Sequence, residues 1–118
     1  MLTLLGSVRV FLGVEPVDMR GSFDALAGAA RRLALDPEDG HLYVFTNTRK
    51  TLMKVLFFDR SGWVVLAKRL ESGSFEIPKV AAGQQKLVLD AATLGLILEG
   101  LDLSRAPRRK RYGRVLAS

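Results

Sequence analysis

His41-Leu-Tyr-Val-Phe-Thr46, Thr51-Leu-Met-Lys-Val-Leu-Phe-Phe58 and Trp63-Val-Val-Leu-Ala-Lys-Arg-Leu70 are three runs rich in β-branched and aromatic residues. They are separated by Asn47-Thr-Arg-Lys50 and Asp59-Arg-Ser-Gly62. Such residues fit a pleated, partly buried surface. Connectors this short cannot carry a crossover, so the stretch predicts an antiparallel meander. Asp first and Gly fourth in the second connector suit a type I turn.

Side chains alternate across a sheet, so the connector lengths decide which residues share a face. With both connectors closing directly, Thr46 stands opposite Thr51 and Phe58 opposite Trp63. One face then carries Leu42, Val44, Met53, Val55, Phe57, Val64, Leu66 and Leu70, with Lys68 near its end. This is an ordinary core face. The other carries His41, Tyr43, Phe45, Leu52, Lys54, Leu56, Phe58, Trp63, Val65 and Arg69. Tyr43, Phe45, Phe58 and Trp63 make that second face a candidate interface, to be covered by the last helix or by a partner subunit. It could instead stack bases while Lys54, Arg69 and the Arg49-Lys50 connector hold phosphates. The first reading is preferred, because Leu52, Leu56 and Val65 do not suit a wet stacking surface.

Outward from the meander, Val8–Leu12 reads as a strand, and Asp18 after Pro16 as a helix N-cap. Met19, Phe23, Leu26, Ala27, Ala30 and Leu33 then form one apolar stripe of an amphipathic helix. Asp36-Pro-Glu-Asp-Gly40 is a turn. Beyond the meander, Phe75–Ile77 is expected as a short strand ended by Pro78, and Lys86–Leu89 as another. Asp90 caps a last helix over Ala91–Glu99, with Leu94, Leu98 and Leu101 on one face and Gly100 as its stop. The fold class is therefore α+β: an antiparallel meander of three to five strands, one amphipathic helix before it and one short helix after. Residues 1–104 form a single domain, and residues 105–118 a basic tail without periodicity, expected to be flexible.

The 118 residues carry a net charge of +6, unevenly distributed. Residues 41–70 hold six bases against Asp59 alone, whereas the segments on either side up to residue 104 are net acidic. The whole excess lies on Arg105, Arg108, Arg109, Lys110, Arg111 and Arg114, a cluster suited to lying along a phosphate backbone.

Cysteine is absent, which excludes a disulfide scaffold, a zinc–thiolate site and thiol catalysis. No apolar run approaches the roughly 20 residues of a membrane span, and Arg9 interrupts the opening MLTLLG too early for a signal peptide. A cytoplasmic protein without a membrane partner is expected. His41 is the single histidine. Asp36, Glu38, Asp39 and His41 lack the spacing of a calcium loop. Ser22, Ser61, Ser72 and Ser74 lie in no nucleophile context. Asp18 and Arg20 read as a cap and a solvated first-turn arginine. Neither an enzyme nor a cofactor site is expected.

Taken in order, the chain presents Glu15-Pro-Val-Asp-Met-Arg20, Ser22-Phe-Asp-Ala-Leu26, Asp36-Pro37, Gly40-His-Leu-Tyr-Val-Phe45 and Asn47-Thr-Arg49. Met53-Lys-Val-Leu-Phe-Phe-Asp59, Lys68-Arg-Leu-Glu71 and Leu98-Glu-Gly-Leu-Asp102 follow. This ordered series, over about residues 8 to 103, resembles the accessory-protein family encoded by the second reading frame of bacterial insertion sequences of the sixty-six family. The resemblance implies a non-enzymatic factor that assists DNA transposition beside a separate transposase. It also implies the element's other proteins as partners, with DNA and a second copy of the chain as further candidates. That family commonly carries a basic residue where Gly21 stands, tryptophan at Phe57, Phe58 and Ile77, and more arginine around Thr48 and Thr51.

Overall fold

The computed structural model describes residues 8–100. Strand β1 (Val10–Gly13) leads through helix α1 (Phe23–Arg32) to β2 (Leu42–Thr46), β3 (Leu52–Phe58) and β4 (Trp63–Arg69). Strand β5 (Lys86–Leu89) and helix α2 (Ala91–Glu99) complete the order. All five strands join one sheet, β4-β3-β2-β1-β5.

The expected meander is present as β2-β3-β4, but the whole sheet is mixed. β1 runs parallel to β2, while every other pair is antiparallel. The reason lies in the connection: parallel neighbours need a crossover, and α1 supplies it. The expected strand at Phe75–Ile77 does not form. The Phe75 N–H instead donates to the Lys50 carbonyl at 2.7 Å, and its ring drops into the core.

Register differs from the simple expectation at one connector. Thr46 faces Met53, not Thr51. The Asn47 side-chain oxygen takes the Thr51 and Leu52 N–H groups at 2.9 and 3.1 Å, drawing both residues into the turn. A slip of two residues preserves alternation, so both expected faces survive. The second connector pairs Phe58 with Trp63, as expected. It is not a type I turn, because Arg60 sits at φ 56° where that turn needs about −60°.

Each face has its own cover. Val10, Leu12, Leu42, Val44, Met53 and Val55 pack with Phe75 and with Leu94 and Ile97 of α2. Tyr43, Phe45 and Leu56 pack beneath Leu26, Ala27, Ala29 and Ala30 of α1. Three alanines on the helix let it settle closely over two large rings on the sheet, which is how a dense interior is filled. Around Tyr43, Phe45 and Leu56, the face expected to await the last helix or a partner subunit is thus covered by the first helix.

Helix α1 begins later than expected. Ser22 is its N-cap, and Asp18 turns instead to Arg20. α2 matches its sequence signals: Asp90 accepts the Thr93 N–H at 2.7 Å. Gly100 ends it at φ 77°, the left-handed backbone that glycine adopts without penalty. Leu94, Leu96 and Ile97 are its buried side chains and Leu98 is half-buried, while Leu101 lies outside the described residues.

Candidate nucleic-acid interface

The cations of the basic band divide by what their donors meet. The Lys54 ammonium donates to the Met19 and Gly21 carbonyls at 2.8 and 3.0 Å. Lys68 donates to the Leu98 carbonyl in the last turn of α2. Outside the band, Lys86 donates to the Leu33 carbonyl at the end of α1, 2.6 Å away. Helix C-termini carry unpaired carbonyls and partial negative charge, so a lysine there caps the helix. These three ammonium groups serve the fold. Lys54 belongs with them rather than with the free phosphate ligands expected from sequence.

Arg49, Lys50 and Arg69 are placed differently. Arg69 pairs across the ladder with Leu52, immediately after the 47–51 turn, so all three occupy one end of the sheet. All three are exposed. Among the described residues, the side-chain ion pairs are Arg20–Asp18 and Arg31–Glu38, so none of these three cations is ion-paired with a described carboxylate. Lys50 also lines an open cleft of about 340 Å³ with Ser74, Phe75, Glu76 and Lys79. Sequence reading missed Lys79, which lies in a net acidic segment and reaches the basic end only because the Phe75 N–H docks on Lys50. The tail cations Arg105, Arg108, Arg109, Lys110, Arg111 and Arg114 lie outside the described residues.

The four aromatic candidates also divide. Tyr43 and Phe45 are 0% and 1% exposed, sealed under α1. The Tyr43 hydroxyl lies 2.6 Å from an Asp39 carboxylate oxygen and 2.7 Å from the Asp36 carbonyl, tying the 36–40 turn to the sheet. Burial first, and the Asp39 carboxylate second, push this phenol well above its ordinary pKa. Phe58 and Trp63 remain half-buried at the opposite end of the β3–β4 pair, edge to face with ring centres 5.1 Å apart.

Asp18 and Arg20 neutralise each other. The Arg20 Nη2 donates to Asp18 Oδ2 at 2.7 Å, and its backbone N–H donates to Oδ1 at 2.9 Å. These hydrogen bonds lower the carboxyl to about 2. Among the described residues, no cluster of three or more His, Asp or Glu side chains is arranged to hold a metal. No helix among them is long and apolar enough to cross a membrane.

Comparison with known families matches residues 8–108 to the IS66 Orf2-like proteins. The chain belongs to that family. Two relatives of this IS66 Orf2-like protein come from Sinorhizobium fredii strain NBRC 101917 / NGR234. The uncharacterized protein y4hO is 35% identical over 97 residues, spanning 81% of this chain and 83% of that protein. The uncharacterized protein y4jC is 33% identical over 105 residues, spanning 86% of each. No solved structure matches the IS66 Orf2-like chain. Membership places the protein among those involved in insertion-sequence transposition.

Proposed function

We propose that this IS66 Orf2-like protein is a non-enzymatic accessory factor that works beside a separate transposase and touches the DNA backbone without reading sequence. The observation that carries the DNA contact is the exposed Arg49, Lys50 and Arg69 group at one end of the sheet, none of them ion-paired with a described carboxylate. The six tail cations extend the same chemistry. Phosphate contacts of this kind position a protein on the duplex but carry no sequence information.

The reading in which the sheet itself stacks single-stranded bases is weaker. Tyr43 and Phe45 lie beneath α1. Phe58 and Trp63 alone make a small platform.

The test is duplex binding measured across increasing salt. Each phosphate contact contributes roughly −0.9 to the log–log slope. Changing the six tail cations to glutamine should remove up to about 5 from that slope, and Arg49→Ala with Arg69→Ala up to about 2. Losses should be alike for unrelated duplex sequences. An unchanged slope in both variants rejects backbone contact.

A further inference from the structure

β4 pairs with β3 on one side and with no described strand on the other. The Leu70 N–H donates to the Thr51 carbonyl at 2.9 Å, and the Asp59 N–H to the Gly62 carbonyl at 3.0 Å. Hydrogen-bonded and non-hydrogen-bonded pairs alternate along an antiparallel ladder. Hence Val64, Leu66 and Lys68 direct their backbone groups at β3. Trp63, Val65, Ala67 and Arg69 present theirs to the open edge.

Among the described residues, Arg69 leaves a free cation at one end of this edge, but its middle is poorly guarded. Proteins protect such edges with outward lysines, bulges or proline. The Lys68 ammonium is turned onto the Leu98 carbonyl of α2, so it does not stand guard. Midway along the strand, Leu66 is 46% exposed, one of the few large apolar side chains left to solvent among the described residues.

We infer that the β4 edge docks a second copy of this chain, antiparallel and two-fold symmetric about Leu66, extending the sheet across both protomers. The strand is complementary to itself in this register. Val65 and Ala67 of each chain exchange backbone hydrogen bonds, as do Trp63 and Arg69, and these are the residues whose groups face outward. Leu66 meets its own symmetry mate in a non-hydrogen-bonded pair, where opposed side chains lie closest. Lys68 falls opposite Val64, and Arg69 opposite Trp63, a cation against an aromatic face.

No like charges oppose each other. The two Lys68 positions are four residues apart along the strands, roughly 14 Å at about 3.4 Å per residue. That exceeds the screening length of about 8 Å at physiological salt. Two-fold pairing also keeps each side chain on its own face, so the exposed Leu66 pair is buried on the α2 side of the joint sheet.

The cysteine-free chain makes the register directly testable. In a non-hydrogen-bonded pair the Cα atoms are about 4.5 Å apart, within the range a disulfide spans. Full-length Leu66→Cys should cross-link to a covalent dimer on mild oxidation. Val64→Cys and Lys68→Cys should each stay uncross-linked alone but join when mixed. Sedimentation of the unmodified full chain should show its mass rising toward two chains with concentration. Leu66→Lys should weaken that dimer at least tenfold while leaving the melting temperature of the monomer within a few degrees.

Three results would overturn the proposal. One is a full chain that stays single at every concentration. Another is cross-linking of position 64 with 66, or 66 with 68, in place of 66 with itself. The third is a dimer that appears only when residues 105–118 are removed, which would make the tail the occupant of this edge.

Discussion

The Lys54 ammonium reaches across from the sheet to the Met19 carbonyl, 2.8 Å away, and holds the segment that leads into α1. A second bond to Gly21 fixes the same segment on the far side of Arg20. Hydrogen bonds to a charged group contribute about 1.5–3 kcal/mol when partly shielded. Lys54→Met should therefore cost about 2 kcal/mol in urea unfolding. Its DNA salt slope should match the parent's, whereas Arg49→Ala should change the slope and leave unfolding unaltered. A Lys54→Met protein of parental stability contradicts this assignment.

Gly13 illustrates how closely the second layer is built. A Cβ at this position would lie 2.8 Å from two carbons of the Phe45 ring, which is itself buried under α1. Overpacking a filled interior costs about 1–3 kcal/mol. Gly13→Ala should lower the urea midpoint by that margin without altering the unfolding slope. The reciprocal change Phe45→Leu should recover part of the loss in the double variant, since the two positions are in contact.

Asp90 links stability to acid. Its hydrogen bonds with Thr93 hold the carboxyl below its ordinary range. A depressed carboxyl stabilises the fold above its unfolded pKa of about 3.9, and this contribution fades as pH falls through the lower folded value. Asp90→Ala should cost about 1 kcal/mol near neutral pH. Asp90→Asn keeps a capping oxygen but cannot titrate, so it should flatten the acid limb of a melting-temperature profile below about pH 4. A parental acid limb in Asp90→Asn would refute the linkage.

Tyr43 works at the alkaline side with the opposite sign. Its raised pKa means that the fold favours the neutral phenol, so the stability it contributes is complete below about pH 10 and diminishes above it. Phenolate absorbance assigned by subtracting Tyr43→Phe from the parent should appear only as the chain unfolds in alkali. Tyr43→Phe should also loosen the 36–40 turn, seen as faster hydrogen exchange at Asp39 and His41, whose N–H groups bond within it.

Much of this architecture was legible in local sequence. Asp90 and Gly100 marked both ends of α2, because a cap needs only a side-chain oxygen or a left-handed residue nearby. The Asp59–Gly62 connector placed Phe58 against Trp63. Even with the Asn47 turn misjudged by two residues, alternation kept Tyr43, Phe45 and Leu56 on one face. What local signals could not show was which helix covers which face. Nor could they show that Asp18 turns to Arg20 and leaves Ser22 at the N-cap position without a side-chain capping bond.

The candidate site followed the same division. Sequence alone established the basic band at residues 41–70, the surplus charge beyond residue 104, and the absence of cysteine chemistry. It could not distinguish Lys54 from Lys50, because both are lysines in one short stretch. The difference arises thirty-odd residues away, where the Met19 and Gly21 carbonyls meet one ammonium and, among the described residues, no comparable acceptor meets the other. The parallel placement of β1, the sealing of Tyr43 and Phe45, and the open β4 edge around Leu66 were likewise decided by tertiary structure. Alternation and capping act over a few residues, while the choice of neighbour depends on where the crossover helix returns the chain.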